Sequence, residues 1–408
     1  MRVFSPRLTL AVSITLIGPV TADAQESLTL ERALTLARER TPSVLAARAR
    51  IEEARARLAG ASLLLRENPE LEAAAGGRSS AENDTEKVEV GILQNLDIGG
   101  KRSARIGIAR AQLLSSAADA ENALRQALRT VASAFFRALQ AQERLTLAGR
   151  AESIATEILE IARRRHEAGD VAMLDVNLAQ AAVARARADV HAARSIQSGA
   201  LGELRALLAF SPEQEIKIGG EFQVSRSYDL QDLLARATDR ADIRALQSEL
   251  DAANAEVRLG RALAWPEFGI GGRYEREEGD DRLLGAVRLT LPLFDRGQGV
   301  RAEARARVHR LELELEAARR EVRREVRTAF EVYLQQTAAV EELARNALPV
   351  LEENESLSRE SYEAGQISLA ELLLVRREIL ETRNDYLSRL LDAAIAVADL
   401  EASAGVRK

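Results

Sequence analysis

The sequence predicts a mainly α-helical fold with a smaller β component, built from two tandem copies of one unit. Three observations lead to this fold class: the composition, an internal duplication, and short segments in which apolar and charged residues alternate. Alanine, leucine, arginine and glutamate dominate the 408 residues, aromatic residues make up only 3%, and there are 8 prolines. This composition is typical of long helices and coiled coils.

The charge and the cysteine count exclude several classes of function. The formal net charge is -6 at pH 7, and arginines in the dense charged stretches alternate with glutamates, so the sequence offers no basic surface for nucleic acid. The chain has no cysteine, which excludes disulfides, thiolate metal sites and a lipidated N-terminal cysteine.

The first residues are typical of a secretory signal. Arg2 and Arg7 precede the apolar run Leu8–Val20, and Ala22-Asp23-Ala24 forms a small-x-small cleavage site. A short membrane anchor is the alternative, but about 13 apolar residues fall short of the roughly 20 that span a bilayer. We therefore expect residues 1–24 to be removed on export to the periplasm or beyond, without a lipid anchor.

The internal duplication is clearest in two short stretches, "HEAGDVAMLDV" at His166–Val176 and "YEAGQISLAEL" at Tyr362–Leu372. Other segments of the two halves match in the same order, so the sequence predicts a first repeat at 25–226 and a second at 227–408. Two long copies argue against a solenoid of short repeats.

Each repeat is predicted to begin with a helix, continue with a β-hairpin, and end with two long helices. Apolar residues recur at steps of three and four over Ile106–Phe135 and over Val308–Tyr333, which predicts two coiled-coil seams. No proline interrupts residues 100–165 or 299–348, so each long helix can run for about 50 to 65 residues. Gly169 and Gly365 are expected to end these helices in the left-handed conformation, before a return helix of about 40 residues.

The hairpins are predicted at about 69–97 and about 266–294. In "EFGIGGRYER" from Glu267 and "LLGAVRLTLPL" from Leu283, apolar and polar residues alternate with period two. Two interpretations remain open at this point: strands between lipid and an aqueous lumen, or a half-buried sheet in a periplasmic protein.

If the strands lie in a membrane, one chain cannot complete the structure. Membrane barrels begin at eight strands, and an open sheet edge is not tolerated in hydrocarbon. A homotrimer would supply twelve membrane strands, and its long helices would continue the same tube as a ring of twelve. On the membrane interpretation, the predicted fold class is an α-barrel tunnel joined to a trimeric membrane β-barrel.

The two "EAG" turns, the strand-to-helix junctions "LDIGGKR" and "LFDRGQG", and the element order resemble the TolC-like outer-membrane efflux channel family over the whole mature chain. "LDIGGKR" is most similar to the channel subunit of cobalt-zinc-cadmium efflux systems. The resemblance implies a passive exit duct in the outer membrane with a tunnel in the periplasm. It also implies two partners, a periplasmic adaptor protein and an inner-membrane pump of the resistance-nodulation-division type.

The resemblance also implies roles for residues at the two turns. The turns are expected to close the duct at rest and to contact the adaptor through His166, Gly169, Asp170, Tyr362, Gly365 and Gln366. Asp175 and Glu371 are expected to line the constriction, although Leu374 replaces a second acid common in the family. The alternatives are that the glycines only end helices, and that the acids only favour helix starts.

No other chemistry is expected. "IGGKRS" lacks the leading glycine of a phosphate loop, and the three histidines lack metal-ligand spacing, so we expect no catalytic, cofactor or metal site. Three functions remain: a duct for metal or drug efflux, a duct for type I protein secretion, and a periplasmic coiled-coil scaffold without a channel. The amphipathic hairpins favour the two ducts.

Overall fold

Both copies fold into the same series of elements. The computed structural model describes residues 27–79, 84–222, 224, 227–277 and 280–406, so the predicted signal at residues 1–24 lies outside the described residues. The first copy contains, in chain order, α1 (Leu30–Arg40), α2 (Pro42–Ser62), β1 (Glu70–Ser79), β2 (Asp84–Leu96), α3 (Lys101–Glu167) and α4 (Met173–Leu207). The second contains α5 (Leu230–Ala237), α6 (Ala241–Ala262), β3 (Glu267–Glu277), β4 (Asp280–Thr290), α7 (Gln298–Glu342), a π-helical segment (Leu343–Ala347), α8 (Leu348–Glu363) and α9 (Leu369–Ala404).

The predicted coiled-coil seams are buried. Leu128 and Phe135 in α3, like Leu311 and Val326 in α7, have almost no exposed surface. The 67 residues of α3 span about 100 Å at 1.5 Å per residue. Along this length α3 packs against α4, α6, α2 and α9, and α9 packs against α7 and α3. No helix in the described ranges combines the length and the hydropathy of a membrane span.

The second long helix contains a proline and nevertheless ends at the predicted glycine turn. The proline-free run ends at residue 348, yet the helical path passes Pro349 and ends at Glu363. Leu343–Ala347 widens into a π-helix directly before this point. Because proline lacks an N–H and its ring crowds the preceding turn, a wider turn accommodates it without ending the helix. The corresponding part of α3 has no proline and no interruption.

The four strands form one antiparallel sheet in the order β1-β2-β3-β4. The central pair, β2 and β3, joins the two copies, with Val90 opposite Tyr274. Tyr274 in turn lies opposite Leu283 of β4, so apolar side chains from adjacent strands share one face. Leu283 is 83% exposed, which shows that no part of the described chain covers this face.

Two apolar clusters lie where the short helices pack on the long ones. In the first copy, the rings of Phe136 and Phe222 stack with their centroids 5.9 Å apart. In the second, the rings of Tyr228 and Tyr333 meet edge to face at 5.3 Å. α9 contributes Ala394 to the first cluster and Leu400 to the second. The last helix therefore holds the two copies together.

A buried arginine fixes the end of α9. The guanidinium of Arg240 donates to the Ser403 carbonyl at 2.9 Å, and it forms ion pairs with Asp242 at 2.6 Å and Glu325 at 2.7 Å. Arg125 of α3 donates to the neighbouring Ala402 carbonyl at 2.8 Å. Arg240 thus binds a carbonyl at the end of α9, and Arg125 adds a second bond to the Ala402 carbonyl, which also accepts the Gly405 N–H at 3.2 Å.

Candidate functional site

The two predicted turns have the same backbone geometry. Gly169 has φ of +87° and Gly365 has φ of +72°, the left-handed conformation that favours glycine. The N–H of Asp170 donates to the Arg165 carbonyl, and the N–H of Gln366 donates to the Ser361 carbonyl, both at 2.8 Å. These bonds form a Schellman motif in each copy, which ends the helix and reverses the chain.

The two turns of one chain pack against each other. Tyr362, before the second turn, is 1% exposed and packs among apolar residues of both copies, including Ile158 and Val176. Arg165, before the first turn, donates to the Tyr362 carbonyl at 2.9 Å. Its guanidinium carbon also lies 5.2 Å from the centre of the Tyr362 ring, within the range of a cation–π contact.

His166 and Tyr362 occupy corresponding sequence positions but have different surroundings. His166 is half-buried, and its Nδ1 lies 2.9 Å from the Val171 carbonyl of its own turn. Burial raises the pKa of the Tyr362 hydroxyl; Arg165 opposes this rise, and the Asp175 carboxylate adds to it. That hydroxyl has no hydrogen-bond partner among the described residues. The Tyr362 ring therefore contacts both copies, whereas the His166 imidazole contacts only its own turn.

The two acids after the glycines both lie in the first turn of a return helix. Glu371 forms a capping box: its carboxylate accepts the Ser368 N–H at 2.8 Å and the Ser368 hydroxyl at 2.9 Å. These bonds, the backbone N–H first, lower the pKa of Glu371. Asp175 is the third residue of α4, and the preceding N-cap residue, Ala172, has no polar side chain to form such a box. Helix capping thus accounts for the position of Glu371, and a role at the constriction stays a prediction.

Sequence reasoning missed Arg165 and Ser368. The spacing Ser-x-x-Glu before an apolar run is the signature of a capping box and could have identified Ser368. No local pattern points to Arg165, because its partner Tyr362 is far away in the sequence.

A groove of about 770 Å³ lies over α3, between α4 and α9. Its apolar lining includes Leu147, Leu178 and Leu374. At one side Glu355 forms ion pairs with Arg376 and with Arg383, the latter at 2.7 Å. The groove therefore joins residues of both copies close to the turns.

The charged face of the sheet is concave. Arg288 of β4 forms an ion pair with Glu70 of β1 at 2.6 Å and another with Glu72. Three strand spacings separate these edges, about 14 Å in a flat sheet, and side chains that stand perpendicular to a flat sheet would not meet across that distance. The sheet must therefore curl around its charged face. Glycines in "FGIGGRY" assist this curvature because Gly271 lies against the Ile92 carbonyl, where a side chain would collide.

The charged face also carries an interior ion-pair network. Arg273 of β3 lies 3.7 Å from Glu72 and 3.8 Å from Glu89. The opposite face is apolar and exposed, so the sheet separates an apolar exterior from a charged interior. Two pairs of long helices joined to such a sheet define a membrane channel protein with a helical extension.

The comparisons with known proteins identify the family. The chain belongs to the outer membrane efflux protein family, whose model matches residues 33–209 and again residues 230–406. The two matches confirm the duplication. Family membership also confirms the predicted outer-membrane location with a periplasmic tunnel.

Individual relatives match almost the whole chain. It is 28% identical over 374 residues to the cobalt-zinc-cadmium resistance protein CzcC of Cupriavidus metallidurans, covering 90% of this chain and 88% of that protein. It is 31% identical over 410 residues to protein CyaE of Bordetella pertussis, covering 93% and 85%. A crystal structure of CusC, described for its transmembrane channel formation, has the same fold, with a TM-score of 0.76 at 17% identity over 92% of this chain and 91% of that one.

Proposed function

We propose that the protein is the trimeric outer-membrane exit duct of a tripartite efflux pump and that it conducts heavy-metal cations. The observation that carries the choice of substrate is the similarity over 90% of the chain to a cobalt-zinc-cadmium resistance protein.

The strand edges support closure of the sheet by further copies of the chain, and we propose a homotrimer. β1 and β4 each have one neighbour in the described chain, so each leaves a row of backbone N–H and C=O groups without a strand partner. Such edges are not tolerated in lipid. Pairing β4 of one chain with β1 of the next removes all edges when three chains close a barrel of twelve strands. The two repeats, at 25–226 and 227–408, then alternate around the ring.

The two turns are the proposed contact site for a periplasmic adaptor protein, which links the duct to an inner-membrane pump of the resistance-nodulation-division type. The residues proposed for this site are His166, Gly169, Asp170, Tyr362, Gly365 and Gln366; because Tyr362 is only 1% exposed, it positions the two turns rather than contacting the adaptor itself. Their support is geometric: both helix reversals lie at the end of the long helices remote from the sheet, and Tyr362 and Arg165 hold them side by side.

Asp175 and Glu371 form the proposed constriction. Each chain contributes both acids at the start of its return helices, so a trimer brings six carboxylates to one end of the tunnel. A ring of acids in a narrow pore favours cations. The carboxylate of Glu371 is kept ionised by its hydrogen bonds to Ser368, so its charge persists at lower pH than that of an ordinary glutamate.

The test is the sensitivity of a deletion strain to cobalt, zinc, cadmium and hydrophobic drugs, with secretion of a type I substrate measured in parallel. We expect sensitivity to the metals alone, restored by the wild-type gene. Drug sensitivity or a secretion defect without metal sensitivity would exclude the metal duct. An unaffected strain that contains a soluble protein, extractable without detergent, would support the coiled-coil scaffold instead.

A further inference from the structure

We propose that the groove over α3 binds a single-chain amphipathic anion, that is, an alkyl chain with a carboxylate or phosphate head group. The volume of the groove, about 770 Å³, lies within the range of small-molecule sites, which is roughly 300–1,000 Å³. The proposal adds a ligand site to the duct and does not depend on what the duct conducts.

The groove lies between two places where α3 and α9 meet. On the side toward the sheet, the Gln140 amide donates to the Leu387 carbonyl at 3.1 Å. On the side toward the turns, Leu159 and Leu369 belong to the same buried cluster. The residues that line the space between these contacts fall within 141–158 of α3, 178–196 of α4 and 370–384 of α9, together with Glu355 of α8.

The groove is elongated along the helices. Residues 141–158 of α3 rise by about 26 Å, which is comparable with the length of a long alkyl chain. The contacts between α3 and α9 limit the groove at both ends. It therefore suits an extended ligand of finite length better than a helix of a coiled coil, which would continue past either end.

The floor of the groove is apolar because α3 presents alanines there. Ala148, Ala151 and Ala155 line the groove at steps of three and four, so they lie on one face of the helix. Their short side chains leave space along the helix, and the larger side chains of Leu178 and Leu374 border it. Leu374 is 67% exposed in the described chain. Exposed apolar surface recessed between helices favours an apolar ligand.

Arginines border this apolar floor. Six arginines and three acids line the groove, so its net charge is +3. Glu355 forms ion pairs with Arg376 and Arg383, and Glu381 pairs with Arg377 at 2.7 Å. These pairs leave positive charge in excess, which attracts an anion and repels a cation.

The excess charge belongs to three arginines, Arg144, Arg150 and Arg185, which form no ion pair with any residue in the described ranges. Arg144 is held in place, because its guanidinium donates to the Ser388 hydroxyl at 2.8 Å. Its Nε is nevertheless buried without a hydrogen-bond partner in the described part of the chain, and so is the Nε of Arg376. A buried N–H without an acceptor is unfavourable.

A carboxylate or phosphate oxygen is the acceptor that matches a guanidinium group. We therefore place the head group at Arg144, which lies at the end of the groove toward the sheet. The alkyl chain then lies over the three alanines and extends toward Leu374, near the turns. A ligand in this position contacts both copies of the repeat.

The test is photolabelling of the full-length protein, reconstituted as a trimer in phosphatidylcholine nanodiscs. The probes are palmitate and a palmitoyl lysophosphatidate, each with a diazirine at the end of the chain, and the adducts are located by mass spectrometry of peptides. The control probe is the alcohol with the same chain and diazirine. We expect saturable adducts within residues 141–158, 178–196 and 370–384, about fivefold more for the anions than for the alcohol. The more efficient anion identifies the head group.

Variants separate recognition of the head group from general surface charge. Arg144→Gln should reduce labelling of the groove by the anions about fivefold, and Arg144→Lys should retain most of it because the charge remains. Ala151→Phe fills the floor and should reduce labelling by the anions and the alcohol alike. Arg137→Gln is the matched control on α3, since Arg137 pairs with Glu203 outside the groove, and it should label like the wild type.

Three outcomes would overturn the proposal. Equal labelling of the groove by the anions and the alcohol would mean that the arginines do not recognise a head group. Equal labelling of the Arg144→Gln and Arg137→Gln variants would exclude Arg144 as its partner. Adducts on the groove of a monomer in detergent, with none on the trimer, would mean that another copy of the chain covers it.

Discussion

Arg288 in the last strand of the sheet forms an ion pair with Glu70 in the first, at 2.6 Å, across the whole width of the sheet. The contact requires the charged face to be concave, so this face becomes the inside of any barrel that the strands complete. Arg288 also pairs with Glu72. One arginine therefore balances two acids of the proposed lumen.

Replacing Arg288 with glutamine should increase cation preference. The change leaves Glu70 and Glu72 without their cationic partner, so the ratio of cation to anion permeability should rise about twofold. Reversal potentials across a planar bilayer measure this ratio. Arg288→Lys keeps the positive charge and should resemble the wild type. Equal ratios for the wild type and both variants would mean that the charged face does not line the pore.

Neutralising the two acids that follow the turns should reduce cation selectivity without disrupting the starts of the return helices. In an Asp175→Asn, Glu371→Gln double variant, glutamine can replace glutamate in the capping box while the ring charge disappears. Cation preference should fall, and so should its dependence on pH. In the wild type, cation preference should weaken in acid. Glu371 should become protonated only below about pH 4.3, the pKa of an ordinary glutamate.

Ser368→Ala is the control for the charges of Asp175 and Glu371. It removes the side chain that bonds Glu371 and keeps both carboxylates, so helix stability should fall while cation preference is retained. If the double variant of Asp175 and Glu371 has an unchanged reversal potential and remains trimeric, the two acids serve only to stabilise the starts of their helices.

Tyr362 should tolerate loss of its hydroxyl but not of its ring. Because the buried hydroxyl has no partner among the described residues, Tyr362→Phe should change the free energy of unfolding by less than about 0.5 kcal/mol. Tyr362→Ala removes a buried ring and should cost about 3–5 kcal/mol. Hydrogen exchange of the amides around Gly169 and Gly365, with thermal denaturation, measures both effects. A cost above about 1 kcal/mol for Tyr362→Phe would reveal a hydrogen bond of the hydroxyl in the assembled trimer.

Arg240→Met should destabilise the chain by about 3–5 kcal/mol near neutral pH, because Asp242 and Glu325 lose their shared partner. Burial alone would raise the pKa of Asp242, but the hydrogen bond and the charge of Arg240 outweigh it and lower that pKa. A lowered pKa gives stability that is present above the unfolded value of about 3.9 and is lost as the pH falls through the folded value. The loss of stability caused by Arg240→Met should therefore be smaller in acid.

Denaturation at several pH values, followed by circular dichroism, measures this deficit. Arg236→Met is the matched control, since Arg236 pairs with Asp232 on an exposed helix surface and should contribute less than about 0.5 kcal/mol. A deficit that stays constant between neutral and acidic pH would show that Arg240 acts through its packing rather than through its ion pairs.

Much of the architecture follows from local sequence. The seams at Leu128 and Leu311 are periodic, Gly169 and Gly365 end helices through their own conformational freedom, and the alternation in β4 predicts a sheet with an apolar face. The capping box of Glu371 is also local and was available from the sequence. Each of these features depends on residues a few positions apart, so the pattern alone determines it.

Contacts between distant residues could be found only in the tertiary structure. The helix that continues past Pro349 depends on a π-turn that propensity does not predict. The difference between His166 and Tyr362 arises because the second turn packs on Arg165 of the first. The inward curvature of the sheet depends on Arg288 reaching Glu70, more than 200 residues away. Local propensity and hydrophobic periodicity determined the helices, the strands and their repetition. Packing between the two copies decided which side chains meet, because similar local patterns have different neighbours once the copies lie side by side.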